Sequence, residues 1–159
     1  MEILYTPIGT IHSPFHDLSE MPIQPSSESS APGMVDLLPE FTQGLKDLGG
    51  FSHIILIYHL HQSHRHKLTV TPFLDSIPHG IFATRAPHRP NPIGISVVRL
   101  LRIENSTLFV ECLDVLDGTP LLDIKPYVPE FDSPPEFRLG WLEGIQGKVR
   151  TTRSDNRFG

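Results

Sequence analysis

The sequence predicts an all-β domain, a barrel or a sandwich, and three observations carry that expectation. Short β-branched and aromatic runs recur along the chain with turn residues between them. Only one stretch has the apolar spacing of a helix. No Gly-x-Gly-x-x-Gly follows a strand-like run and no phosphate loop occurs, which disfavours a Rossmann-type nucleotide fold.

Taken in order, residues 3–12 are β-branched and aromatic around Pro7, which suits an edge or irregular strand. Residues 13–33 lose all periodicity, with prolines at 14, 22, 25 and 32, and read as one long loop. Pro39, Phe41, Leu45 and Leu48 fall at helical spacing before Gly49-Gly50, predicting one short amphipathic helix. Residues 51–60 form a strongly apolar strand, and 68–74, 81–84, 94–103 and 107–116 repeat the strand pattern, with a hairpin turn at Glu104-Asn105-Ser106. Beyond Pro126 the chain becomes rich in proline, glycine and charge, although Phe137, Leu139, Trp141 and Leu142 can pack back on the body. Residues 148–157 carry four positive charges and one negative and read as a solvated tail.

A length of 159 residues fits one domain with a real core. The single cysteine, Cys112, excludes an internal disulfide and sits in an alternating apolar run, where a packing role fits best. The start, Met-Glu-Ile-Leu-Tyr, lacks the basic region of a signal peptide, and no apolar run approaches the ~18 residues of a membrane helix, so a cytoplasmic location is expected. A net charge of −5 argues against coating nucleic acid by bulk electrostatics, but leaves room for local basic clusters.

The stretch from Phe82 to Ser96 holds such a cluster. Arg85, His88, Arg89 and Asn91 stand on a backbone stiffened by Pro87, Pro90 and Pro92, each of which also pushes its preceding residue toward extended geometry. Donors fixed in this way lose little entropy on binding, and two guanidinium groups suit a phosphate or a carboxylate. His59, His61, His64 and His66 form a second cluster, open to two readings: a metal site, or a strand end running into a polar turn. Without a second cysteine or a helical His-x-x-x-His pair with an adjoining glutamate, no dedicated metal site is expected. Asp114-Val-Leu-Asp-Gly-Thr-Pro120 reads as a glycine turn, and the same turn can present backbone amides, carbonyls and carboxylates to a ligand.

Gly80-Ile-Phe-Ala-Thr-Arg-Ala-Pro-His-Arg-Pro-Asn-Pro-Ile-Gly94 resembles the signature of the TrmO family (YaeB-like, TsaA-like), S-adenosylmethionine-dependent tRNA methyltransferases. Residues 8–15, 50–58 and 116–127 resemble the same family in the same order. The resemblance implies a small antiparallel β-barrel with one short helix and long loops. It assigns S-adenosylmethionine binding to residues 1–132 and leaves 133–159 as an extension rather than a domain. It places the cofactor against Gln24, Pro25, His61, Gln62, Arg85, Ile95, Asp114, Val115, Leu116 and Asp117. It implies a homodimer acting on the tRNA anticodon loop, methylating N6 of threonylcarbamoyladenosine at position 37. Arg85, Arg89 and Asn91 would carry the catalytic contacts, with Phe82, His88 and Tyr127 as stacking candidates. Two departures stand out: Ile23 replaces an arginine frequent in relatives, and the additional C-terminal domain of many members has no counterpart here. Binding of S-adenosylmethionine without turnover, as a sensor, and a metal-dependent hydrolase built on the histidine cluster are the competing expectations.

Overall fold

The computed structural model describes residues 1–21 and 31–145. Within them the chain runs β1 (Gly9–His12), β2 (Gly33–Leu37), β3 (His53–His59), β4 (Thr69–Val70), β5 (His79–Gly80), β6 (Ile93–Glu104), β7 (Thr107–Glu111) and β8 (Thr119–Pro126), then one α-helical turn, α1 (Pro129–Asp132). Six strands close an antiparallel barrel in the order β1-β2-β7-β6-β3-β8, while β4 and β5 form a separate ribbon.

Strict alternation builds the core. Ile54, Leu56 and Tyr58 of β3 point inward, as do Ser96, Val98 and Leu100 of β6 and Leu108 and Val110 of β7. Ile11, Val35, Leu37 and Leu121 complete the barrel interior, and Leu45, Leu113 and Val115 pack against it from the connecting loops. Each fully buried Leu or Ile contributes about 1.5–3 kcal/mol. Such a small barrel closes only if its strands bend. The register shifts once between Leu100 and Arg102 on β6 and once between Ile57 and Tyr58 on β3, as bulges do where a sheet curls.

Several expectations are corrected. The helix at 39–48 is two 3-10 segments, Pro39–Leu45 and Leu48–Gly50, divided at Asp47, whose φ is 66°. Gly44 inside the segment and its short length leave too little helix propensity to hold an α-helix together. Ile81–Ala83 is a 3-10 turn rather than a strand, with the Thr84 hydroxyl bonded to the Ile81 carbonyl at 3.0 Å. The run at 68–74 pairs only over Thr69–Val70, because Pro72 has no N–H for a ladder. The run at 107–116 stops at Glu111, since Cys112 turns to a φ of 63° and sends residues 112–118 off the sheet. β2 has no counterpart among the expected strands. At the N-terminus ladder pairing starts at Gly9, two residues past Pro7. The hairpin at 104–107 is present, with Asn105 at a φ of 55°. No helix among the described residues is long and apolar enough to cross a membrane.

Candidate functional site

One end of the barrel opens into a cavity of about 770 Å³, within the ~300–1,000 Å³ usual for a small-molecule site. Loops and strand ends from along the chain converge there. β3 supplies Tyr58, and the turn after it supplies Leu60, His61 and Gln62. The proline-stiffened loop supplies Arg85 and Arg89, β6 supplies Ile95, and the chain after Cys112 supplies Asp114, Val115 and Leu116. The cavity therefore gathers His61, Gln62, Arg85, Arg89, Ile95, Asp114, Val115 and Leu116 from the residues singled out in sequence. Asn91 and Asp117 are not among its lining residues. Gln24 and Pro25, like the basic stretch 148–157, lie outside the described residues.

The loop that carries the arginines is stapled to the turn that carries His61. The Ser63 hydroxyl donates to the Pro87 carbonyl at 2.9 Å, the Leu60 amide to the Pro92 carbonyl at 2.7 Å and the Lys67 amide to the His88 carbonyl at 3.2 Å. The Pro87 carbonyl also accepts the Arg89 amide at 2.7 Å, which closes the loop on itself. The two arginines then diverge. Arg89 turns inward, and its Nη1 donates to the carbonyls of Ile81 (3.1 Å), Thr84 (2.8 Å) and Ala86 (3.4 Å), while its guanidinium lies 5.9 Å from the Phe82 ring centre. Arg85 is exposed on the cavity wall, near enough to Asp114 to stabilise its charge.

A buried polar chain crosses the cavity floor. The Tyr58 hydroxyl lies 2.9 Å from Ser96 Oγ, which donates to Asp114 Oδ1 at 2.5 Å. Tyr58 can lie there because its partner across the ladder is Gly94; a Cβ on Gly94 would strike the tyrosine ring. Burial pushes the Asp114 carboxyl up to about 6, against the opposing pull of the Ser96 hydroxyl and Arg85. Burial and the Asp114 charge raise the Tyr58 phenol far above its ordinary range. Burial, with His59 and His64 as neighbours, lowers the His61 imidazole, whose Nδ1 lies 3.3 Å from Thr119 Oγ1.

Asp117 braces the frame. Its Oδ1 accepts the Ser13 amide at 3.0 Å, and His12 and His16 approach at 3.4 and 3.5 Å. Burial alone would raise this carboxyl, but these partners hold it below its ordinary value. Gly118 follows with a φ of 76°, as a turn residue should. Of the stacking candidates, Phe82 lines the cavity and is 77% exposed; His88 and Tyr127 do not line it. Among the described residues no three His, Cys, Asp or Glu side chains form a group able to hold a metal.

Tyr58, Ser96 and the wall from the far end of the chain escaped the sequence reading as site residues. Trp141 and Leu142, on the 3-10 segment Gly140–Ile145, close one side of the cavity. The indole N–H donates to the Ala83 carbonyl at 2.8 Å, and its ring stacks on His79 with 4.5 Å between centres and 17° between planes. Asp75 Oδ2 lies 2.8 Å from the same imidazole. Apolar residues in a Pro- and charge-rich tail were the available signal for this wall.

The loop-capped antiparallel barrel and a largely apolar cavity on which several polar side chains converge define a small-molecule-binding barrel. Residues 10–133 match the model of the tRNA-methyltransferase O N-terminal domain, and the chain belongs to that family. It is 54% identical over 156 residues to a protein of Pyrococcus abyssi named as a probable S-adenosyl-L-methionine-binding protein, covering 98% of this chain and 85% of the relative. It is 35% identical over 139 residues to the mouse tRNA (adenine(37)-N6)-methyltransferase, covering 83% of this chain but 32% of that protein. A crystal structure of TrmO from Pseudomonas aeruginosa superposes with a TM-score of 0.75 at 41% identity, over 89% of this chain and 63% of that one.

Proposed function

We propose that the cavity binds S-adenosylmethionine and that the protein transfers its methyl group to a nitrogen on the base moiety of a tRNA nucleoside, N6 of threonylcarbamoyladenosine at position 37 next to the anticodon. The observation that carries this reading is the convergence of Arg85, His61, Gln62 and Asp114 on one largely apolar cavity. The residues fit the cofactor: Leu60, Val115 and Leu116 give apolar wall for a purine, and His61 and Gln62 give polar partners for hydroxyl and amino groups. Gln24, Pro25 and Asp117, and the rim residue Ile95, are part of the proposed cofactor set. S-adenosylmethionine supplies a methyl carbon activated by a sulfonium.

The chain's own work is alignment and exclusion of water. Arg85 binds an anionic group of the acceptor, a phosphate or the threonyl carboxylate. Arg89 fixes the loop that presents Arg85, and Asn91 orients the base from the loop's outer side. Phe82 offers the acceptor a ring to stack on, as splayed anticodon-loop bases require. A second copy of the chain, covering the exposed Ile93 and Ile95 beside the cavity, would complete a homodimer, and a tRNA substrate would place it in the cytoplasm.

The test is mass spectrometry of nucleosides from tRNA lacking the final methylation, incubated with protein and S-adenosylmethionine. One methyl gained on threonylcarbamoyladenosine, and lost in Arg85→Ala, is the expected result. A second reading, binding without turnover, is favoured by the Pyrococcus relative being named for binding alone. Calorimetric binding with no methylation of any tRNA would select it.

A further inference from the structure

The reaction proposed above releases a proton, and the cavity holds a group placed to take it. We propose that Asp114 is the general base, accepting the proton of the acceptor nitrogen as the methyl group arrives; this rests on the methyltransferase reading. In the step the nitrogen lone pair forms the new N–C bond and the C–S bond breaks, with its electron pair going to sulfur. The N–H bond breaks toward Asp114, whose carboxylate becomes neutral and later returns the proton to water. Atoms and charge balance with no further reactant.

Geometry selects this residue. The carboxylate lines the cavity and stands near Arg85, the side chain proposed to hold the acceptor's anionic group, so an acceptor on Arg85 lies beside Asp114. Behind it the fold has built a support rather than a solvated turn. Ser96 donates to Oδ1 at 2.5 Å and is itself met by Tyr58 at 2.9 Å, both on strands of the barrel. That chain fixes the carboxylate's orientation and places its nearest partner on the barrel side. The other cavity-lining groups suit the task less. His61 is turned toward Thr119, and Tyr58 is held protonated by burial and by the Asp114 charge. A carboxyl near 6 is half ionised close to working pH, where a base is most effective. The titratable and charged groups facing it are Tyr58 from β3 and Arg85 from the proline-stiffened loop, with His61 on the same cavity wall.

The experiment compares the wild type, Asp114→Asn and Ser96→Ala in kcat against pH on unmethylated tRNA, with calorimetric affinity for S-adenosylhomocysteine and a carboxyl NMR titration of the labelled protein. For Asp114→Asn the expected result is a kcat loss of about 10²–10⁴-fold. S-adenosylhomocysteine affinity should stay within about threefold, and the acidic limb should vanish. Ser96→Ala keeps the carboxylate but loses its donor, so the acidic limb and the NMR titration should both move to higher pH together. If the wild type methylates and Asp114→Asn retains its kcat, the assignment is overturned. It is equally overturned if affinity falls by the same factor as kcat, because Asp114 is then a cofactor ligand. A wild type inactive on every tRNA, binding S-adenosylhomocysteine normally, overturns the methyltransferase reading and the base with it.

Discussion

Replacing Gly94 by alanine should damage the fold and the site through one contact. Gly94 and Tyr58 face each other across the β3–β6 ladder, and a methyl group at Gly94 meets three carbons of the tyrosine ring. Two of them lie 2.6 and 2.8 Å from the added carbon and the third closer still, so the ring has to move. Overpacking of this kind costs about 1–3 kcal/mol. Displacing the ring also breaks the hydroxyl contact with Ser96, worth about 1 kcal/mol. A total of roughly 2–4 kcal/mol corresponds to a fall in Tm of about 4–16 °C for a chain of this size. Thermal unfolding by calorimetry measures it directly. Coupling through the ring makes a second demand: in a Tyr58→Leu background the same Gly94→Ala change should cost much less, because its obstacle is gone. A wild-type Tm in Gly94→Ala, or a penalty equal in both backgrounds, would refute the reasoning.

The two arginines of the proline-stiffened loop should separate in their effects. Arg89→Ala removes the donor shared by the Ile81, Thr84 and Ala86 carbonyls, of which Ile81's keeps the Thr84 amide and hydroxyl, and should lower stability by about 1–3 kcal/mol in urea unfolding, whereas exposed Arg85→Ala should cost less stability while abolishing turnover. The pH dependence of stability should carry the signature of Asp114, an acid whose folded value, about 6, exceeds its ordinary 3.8. Its contribution is full below the unfolded value and is lost as pH rises from about 4 through 6, a change of about 3 kcal/mol. Asp114→Asn should therefore gain on the wild type by about that amount between pH 4 and 7.5, and parallel stability curves would contradict the assignment.

Much of the fold was legible because apolar runs mark the barrel strands. Ile54-Ile55-Leu56-Ile57-Tyr58 and Leu108-Phe109-Val110 are apolar at every position, so they announce strands while only the register decides that Ile54, Leu56, Tyr58, Leu108 and Val110 turn inward. The failures have local causes. Cys112 gives no sign in sequence of its left-handed backbone, and the apolar pattern of β7 runs on through the residues that instead carry Asp114 to the cavity. Gly33–Leu37 was hidden behind the long loop, since only Val35 and Leu37 of its five residues turn inward and two positions make a weak period. At the site, composition found the arginines but could not tell which one braces the loop: three carbonyls of the loop's own backbone claim Arg89. Ser96 had a readable signal that went unused. A hydroxyl at an inward position among Val98 and Leu100 needs a buried partner, and Tyr58 and Asp114 are that partner.

The wall contributed by Trp141 has an optical consequence. The chain contains one tryptophan, and that indole lies on the cavity, against His79 and hydrogen-bonded to Ala83. Every photon of tryptophan emission therefore originates at the site, and none comes from the barrel interior. Ligand entry changes the polarity around the ring and shifts its colour, so affinity can be read on unlabelled protein. During refolding, far-ultraviolet dichroism follows closure of the barrel while emission follows docking of residues 140–145, two clocks in one molecule.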